Sequence, residues 1–545
     1  MSLRVRLIIF AAAALSIGLF FLTEIPLGIP GEWTWNRIRY TDGFWLTLPA
    51  VLLALAAYAV FALIAWAGER RITESSRAEW SGWLLALMAT GFAWLHVVQN
   101  TPPAGLDAAK SPFVLYYPSS SGYFFKANYE VGSLVEFLRD YEDTVRNGDT
   151  LHEGTHPPGL FVLFRGLIAF AEAAPDVAAL PQIVLPQSGE DGFAFIRSIS
   201  PRPLTEQDQA VLWLAAMLTQ LAAVLVIVPL FLLIRLTLDR VTAWRAICFW
   251  PLVPAVVVFI PKSDVLFAFG SSLLVCLWLY SVRATSSAPS ISQRATAFLL
   301  GAAAGAVGWL GLFCSLAFLP AGAIAVVAAV LLFRKSHTEA EAADFSLKAQ
   351  FLWSARQHFF PLTGGVVSFV MLTGLVWAVW DLNLLRVWQI NYINHTRFYE
   401  VSPRSYFGWL LVNPLELTLA LGAPLAVLVA CGVRREGARE KVGVGIRALL
   451  EARLAVPVAV GLIWGLLWLT GKNSGEAARL WIPLMPLALW AGAAVWDHQE
   501  NSSDKEEPED DATREWLIAL GVQALVCLVT VLLVTGFLKE QGGVG

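Results

Sequence analysis

The chain has 545 residues, of which 57% are hydrophobic and 15% charged, with 23 Trp, 32 Phe and a formal net charge of -4. At a mean hydropathy of +0.62 this is far more apolar surface than a soluble domain buries, so the composition implies a polytopic membrane protein. The small, dispersed charge excludes a nucleic-acid partner as an organising principle, and Cys248, Cys276, Cys314, Cys431 and Cys527 all fall within apolar runs and read as small core residues.

The first run, from Arg4 and Arg6 through Phe-Phe-Leu-Thr-Glu, has the basic start of a signal peptide but no small-residue cleavage site, and reads as an uncleaved first helix. Apolar runs then recur at 6–23, 45–67, 81–98, 209–235, 246–260, 264–282, 295–314, 316–333, 360–380, 407–431, 454–470, 480–496 and 515–538, predicting an all-α bundle of about thirteen transmembrane spans. Lys and Arg concentrate in alternate connections, from Arg70, Arg71 and Arg77 to Arg434, Arg435 and Arg439, which predicts a cytoplasmic N-terminus.

That orientation divides the chain into N-terminal helices 1–98, a large non-cytoplasmic loop 99–208, a transmembrane core 209–496, an acidic cytoplasmic loop 497–513 expected to be disordered, and a final helix and tail 514–545. Within the large loop, Ala127, Val131, Leu134, Leu138, Tyr141 and Val145 recur at spacings of four and three. This pattern predicts an amphipathic helix lying on the membrane surface.

The loop then reads Thr-Leu-His-Glu-Gly-Thr-His-Pro-Pro-Gly-Leu-Phe from Thr150 to Phe161. Residues 152–156 spell the H-E-x-x-H zinc-protease pattern, which needs both histidines on one continuous helix. Gly154 weakens that helix, and Pro157 pushes His156 out of helical geometry, so the pattern loses its meaning here. His156-Pro-Pro-Gly159 instead predicts a rigid start to a helix over 159–173, capped by Thr155, which either crosses or re-enters the membrane.

Ionisable groups gather in the other outer connections. Pro261-Lys-Ser-Asp264 lies between two spans, with Asp264 suited to capping a helix N-terminus. The stretch 391–406 reads as an outer loop holding His395, Arg397 and Arg404, and Asn394-His-Thr396 matches a glycosylation sequon. Residues 471–479 bring Lys472, Glu476 and Arg479 to a helix mouth. Charges at an apolar boundary are costly unless they pair or serve a substrate, and cations beside lipid suit a phosphate-bearing lipid. Interfacial anchoring is the competing reading for Arg404 and Arg479.

The large outer loop after an early span, the His156–Gly159 turn opening the next helix, the Ser121–Ala127 stretch SGYFFKA, the Ser263-Asp264 pair and Gly475-Glu-Ala-Ala-Arg479-Leu-Trp resemble the GT-C superfamily of polyprenyl-phosphate-dependent glycosyltransferases, which includes protein O-mannosyltransferases and aminoarabinose transferases. The resemblance implies transfer of a sugar from a lipid phosphate to a hydroxyl of a glycan, lipid or protein on the non-cytoplasmic side of a bacterial inner membrane. No organic cofactor is implied, and a divalent cation stays open. The chain departs from the pattern where such enzymes carry an acid ahead of the aromatic segment, since Tyr117-Pro-Ser-Ser-Ser121 stands there. The base is then expected from Glu130, Glu153 or Asp107, in that order, with Glu24, Glu32 and Asp42 of the first outer loop further from the pattern. Substrate contacts are expected from His156, Lys262, Asp264, His395, Arg397, Arg404, Lys472, Glu476 and Arg479. A transporter or flippase is the alternative; it would want ionisable residues at mid-membrane or inverted repeats.

Overall fold

The computed structural model describes residues 3–40, 43–148, 153–285, 289–333, 347–439, 454–472, 474–497 and 509–536. Their order is α1 (Leu3–Leu22), β1 (Leu27–Ile29), β2 (Trp33–Arg37), α2 (Leu48–Arg71), α3 (Arg77–Val98), α4 (Lys110–Tyr116), α5 (Tyr123–Tyr129), α6 (Leu134–Arg139), α7 (Tyr141–Asn147), α8 (Gly159–Ala173), α9 (Pro175–Ala179), α10 (Gln187–Ile199), α11 (Glu206–Leu225), α12 (Ile227–Ile234), α13 (Arg240–Ile247), α14 (Pro254–Phe259), α15 (Ser263–Arg283), α16 (Ile291–Cys314) and α17 (Leu319–Leu332). There follow α18 (Leu347–Trp380), α19 (Leu384–Val401), α20 (Tyr406–Leu421), α21 (Ala423–Arg439), α22 (Ala455–Leu469), α23 (Ala477–Leu480), α24 (Met485–Gly492), α25 (Glu509–Leu533) and β3 (Val534–Thr535).

Among the described residues, eight helices are long and apolar enough to cross a membrane: 3–22, 44–71, 77–98, 206–234, 263–283, 291–314, 355–380 and 510–533. The protein is therefore a multi-pass membrane protein. The pair α20 and α21 adds a ninth if its 104° bend lies within one span. The expected runs at 316–333, 454–470 and 480–496 meet shorter apolar helices, and the run at 246–260 is split between α13 and α14. Pro251 and Pro254 lack the amide protons a continuous helix needs there, and a short 3-10 turn over Trp250–Leu252 takes its place.

Helix starts follow the sequence closely. Ser76 with Glu79, Thr205 with Asp208, and Ser290 with Gln293 each form a reciprocal capping box that satisfies the orphan amides of α3, α11 and α16. The expected acidic loop ends earlier than its composition implied: 498–508 lie outside the described residues, and α25 already begins at Glu509.

Two features differ from the sequence expectations. A small antiparallel sheet ties the connection after α1 to the end of α25, with β1 paired to β2 and β2 to β3 (Asn36 opposite Thr535). The alternation in Trp33-Thr-Trp35 suits a strand with one face buried, and Trp35 is buried. The amphipathic helix expected over 127–145 is three short helices, α5 to α7, interrupted at 130–133 and at Asp140. Ser133 stops the chain from continuing as one helix by capping α6, its hydroxyl accepting from the Glu136 amide. The apolar face is nonetheless real: Ala127, Val131, Leu138, Tyr141 and Val145 are buried. They pack inward, with Tyr141 and Phe137 edge-on to neighbouring rings including Phe161 of α8.

Candidate functional site

The His-Pro-Pro-Gly turn is held from several sides. Tyr141 donates its hydroxyl hydrogen to the His156 carbonyl at 2.8 Å, and Thr155 Oγ1 lies 3.0 Å from His156 Nδ1. Thr155 therefore engages its neighbour instead of capping α8, whose N-cap is Pro158 with no side-chain cap. Gly159 is required by close approach, since a Cβ there would lie 2.5 Å from the Phe313 carbonyl oxygen at the end of α16. With 15 residues, α8 is not among the helices long enough to cross.

Residues 153–156 form turns and a bend, so the descending half of the H-E-x-x-H pattern is not helical; His152 lies outside the described residues. Glu153 instead pairs with Lys126 at 2.5 Å. The carbonyl of Gly154 accepts from the side-chain amides of Asn391 at 2.9 Å and Asn394 at 2.8 Å, and Asn394 also donates to the Val145 carbonyl at 2.9 Å. The expected outer loop 391–406 is thus largely helix α19, whose polar edge clamps the motif turn. Asn394 is buried with its amide hydrogens committed, which removes the sequon reading in this structure.

The second half of the site is a cluster of four charges. Arg479 Nη2 binds Glu476 Oε2 at 2.6 Å, and its Nε lies 3.6 Å from Asp264 Oδ2. Lys262, the N-cap residue of α15, donates to the Ser120 carbonyl, which ties the cluster to the loop ahead of α5. Asp264 therefore sits in the first turn of α15 and faces Arg479; it is not the cap. Burial pushes the Lys262 ammonium down to about 7, and Arg479 adds to that shift while Asp264 and Glu476 oppose it. Burial also works against the Arg479 charge, but Glu476 and Asp264 outweigh it and raise its pKa, with a smaller contribution from Tyr123. Tyr123 in turn stands 6.0 Å from the His156 ring, so it connects the two halves.

Backbone geometry sets the cluster's shape. Gly475 and Glu476 both adopt left-handed φ, +67° and +80°. Glycine takes this conformation freely, whereas a long side chain such as Glu resists it. The turn aims the Glu476 carboxylate at Arg479, three residues on.

The remaining expected residues are distributed around this centre. Arg404 donates to the Glu32 carbonyl, while the Glu32 carboxylate accepts from the Ser405 amide at 2.9 Å and Trp409 Nε1 at 2.6 Å. Desolvation acts against it, but these hydrogen bonds and Arg404 hold Glu32 below the usual glutamate value. Lys472 lies 5.3 Å over the Tyr392 ring, and burial, then Lys472, pushes the His395 imidazole down. Arg397 donates to Asn394 Oδ1 at 3.3 Å. Asp107 accepts from the Ala109 amide at 3.1 Å, which closes a local turn ahead of α4, and is raised by burial. Glu130 is an exposed C-cap of α5. Among the described residues, no contact joins Glu130 or Asp107 to Arg479.

Two side chains at the site were not anticipated. Lys110 is buried and donates to the Val258 carbonyl at 3.3 Å; burial lowers it to about 8 against the pull of Asp107. Glu416 of α20 is buried, accepts from Trp35 Nε1 at 3.2 Å, and stands close enough to Glu476 to feel its charge. A carboxylate inside an apolar run, Leu415-Glu-Leu-Thr-Leu, is a signal that could have found it.

Among the described residues, no three His, Cys, Asp or Glu side chains converge to hold a metal ion. No family model matches the chain. No curated protein matches it either. Among solved structures it is similar to the Archaeoglobus fulgidus oligosaccharyltransferase, described as a complex with Zn and sulfate, at 15% identity and a TM-score of 0.34 over 79% of this chain. The chain spans 53% of that protein's length, and a likeness this slight assigns neither fold nor activity.

Proposed function

We propose that the protein is an integral-membrane glycosyltransferase that moves a sugar from a polyprenyl-phosphate donor to an acceptor hydroxyl on the non-cytoplasmic face. The observation that carries this reading is the Lys262–Asp264–Glu476–Arg479 cluster at the ends of apolar helices, in which Lys262 and Asp264 are buried and Glu476 and Arg479 partly exposed, and which Tyr123 joins to His156. A lipid phosphate needs cations beside an apolar surface, and Arg479 and Lys262 supply them. Thirteen crossings with a cytoplasmic N-terminus would put this cluster and the motif turn on one side.

In the reaction, the acceptor oxygen bonds to the sugar's anomeric carbon as the carbon–oxygen bond to phosphate breaks. The bonding pair leaves with the phosphate, where Arg479 and Lys262 stabilise it, and the acceptor proton passes to a carboxylate. Asp264 and Glu476 adjoin the cations and take this role ahead of Glu130 and Asp107, while Glu153 is engaged by Lys126. His395, Arg397 and Lys472 line the α19 side, where the acceptor would enter.

The test is transfer from radiolabelled polyprenyl-phosphate sugars by the purified protein in lipid nanodiscs supplied with a membrane glycan and lipid extract. Transfer that falls at least a hundredfold in Arg479→Gln is expected. Absence of transfer with every donor, or equal transfer by the wild type and Arg479→Gln, would sink the reading.

A further inference from the structure

In the resting protein, Arg479 is already occupied. Its Nη2 is committed to Glu476 at 2.6 Å and its Nε faces Asp264 at 3.6 Å. Arg479 stands between two carboxylates, with Lys262 as a second cation that burial weakens, and the Arg479, Glu476 and Asp264 side chains are only 26%, 25% and 13% exposed. A phosphate arriving at this half-buried site brings uncompensated negative charge, and it gains a two-pronged contact with the guanidinium only where a carboxylate gives way.

The two carboxylates are not held equally. Asp264 lies in the first turn of α15, where free amides and the helix dipole favour a negative group. Glu476 stands on a left-handed turn at φ +80°, a conformation its side chain disfavours, at the N-cap of a helix only four residues long. Arg479 contacts it, and the charges of Lys262, Asp264 and Glu416 reach it through space, the last two repelling it. Its ion pair with Arg479 is what keeps it in place, so it is the carboxylate that yields.

Resting on the donor reading above, we infer that Glu476 is a displaceable internal counter-anion: the donor phosphate replaces it on Arg479, and the freed carboxylate takes the acceptor proton. Occupation by donor thereby unmasks the base, and the site stays closed to proton transfer when empty. Atoms balance as in the transfer itself, with the proton ending on Glu476 and the electron pair on the departing phosphate.

Binding of farnesyl phosphate, a short prenyl monophosphate, to the protein in phosphatidylethanolamine–phosphatidylglycerol nanodiscs tests this. Removing the competing carboxylate in Glu476→Gln should tighten binding about tenfold, the scale of one charge-assisted contact. Glu476→Gly, which suits the left-handed turn, should tighten it likewise, and guards against a folding defect in the first variant. Both variants should lose sugar transfer, and Arg479→Gln should lose binding. Unchanged or weaker binding in both Glu476 variants, while Arg479→Gln still loses it, overturns the exchange and leaves the phosphate site standing. Wild-type transfer rates in Glu476→Gln overturn the proton-acceptor role. If none of the proteins, wild type included, binds the probe, the donor reading itself falls, and the exchange with it.

Discussion

Among the described residues, two arginine–carboxylate clusters are built in opposite ways, one sealed and one partly open. At the cluster of α2, α13 and α25, Arg245 and Glu69 pair with side chains only 4% and 5% exposed, and Thr513 donates to the same Glu69 oxygen at 2.9 Å. Trp516 donates to the Arg245 carbonyl at 3.1 Å, Trp244 donates to the Ala65 carbonyl at 2.8 Å, and the residues concerned have ordinary helical backbone. The Arg479 cluster is more open, sits on a left-handed glutamate, and leaves Arg479 Nε without a hydrogen bond. A saturated, sealed ion pair fastens helices together. A half-open one with an awkward backbone and an unmet donor keeps binding capacity in reserve.

Breaking the sealed pair should have the largest effect. Arg245→Ala leaves Glu69 buried and unpaired, which costs about 3–5 kcal/mol, whereas Arg245→Met with Glu69→Leu should recover most of the loss. Thermal unfolding in detergent measures both. If the single variant unfolds at the wild-type temperature, the contrast between the clusters collapses.

Arg479→Gln should reverse the pattern, with a smaller drop in unfolding temperature than Arg245→Ala but a loss of transfer of about 100- to 1,000-fold, or roughly 2.7–4 kcal/mol of transition-state stabilisation. Side-by-side turnover and melting curves decide it.

Gly159→Ala pushes a methyl group to within 2.5 Å of the Phe313 carbonyl and should destabilise by about 1–3 kcal/mol while shifting the His156 turn. Reduced transfer accompanied by a lower melting temperature is the expected signature.

A pH series sharpens the comparison further. Lys262 releases its proton at about 7 in the folded protein but at 10.5 when unfolded, so between these values the unfolded state binds more protons and stability rises with pH. Lys110, lowered to about 8, adds to the same trend above that value. Lys262→Met should flatten the part of the slope that begins near pH 7, as measured by denaturant midpoints across the series. A slope unchanged by the substitution would contradict the buried-lysine account.

The smallest effect expected is Asn394→Ala, about 1 kcal/mol, because Asn391 still donates to the Gly154 carbonyl. Transfer should fall more than stability if the clamp serves to position the motif turn.

Much of this protein was legible before folding. Sustained apolar runs require membrane helices, and the consecutive prolines after His156 rule out a zinc-binding helix. Periodicity also identified the right buried face between Ala127 and Val145, because helix and broken helix bury residues at similar spacings. It missed the interruptions, which depend on the Ser133 hydroxyl finding the Glu136 amide.

What local pattern could not supply was partnership across distance. Nothing near residue 264 in the chain announces Arg479, and nothing near Gly154 announces Asn391 and Asn394, because these contacts arise only when distant helices pack. The tertiary structure likewise moved Arg404 to Glu32, set Glu130 apart in solvent, and brought Glu416 within electrostatic reach of Glu476. Sequence alone determined that charges gather at the ends of apolar helices, since burying them elsewhere is too costly. Which cation meets which carboxylate was decided by packing, since long-range pairing depends on how helices far apart in the chain come to lie side by side.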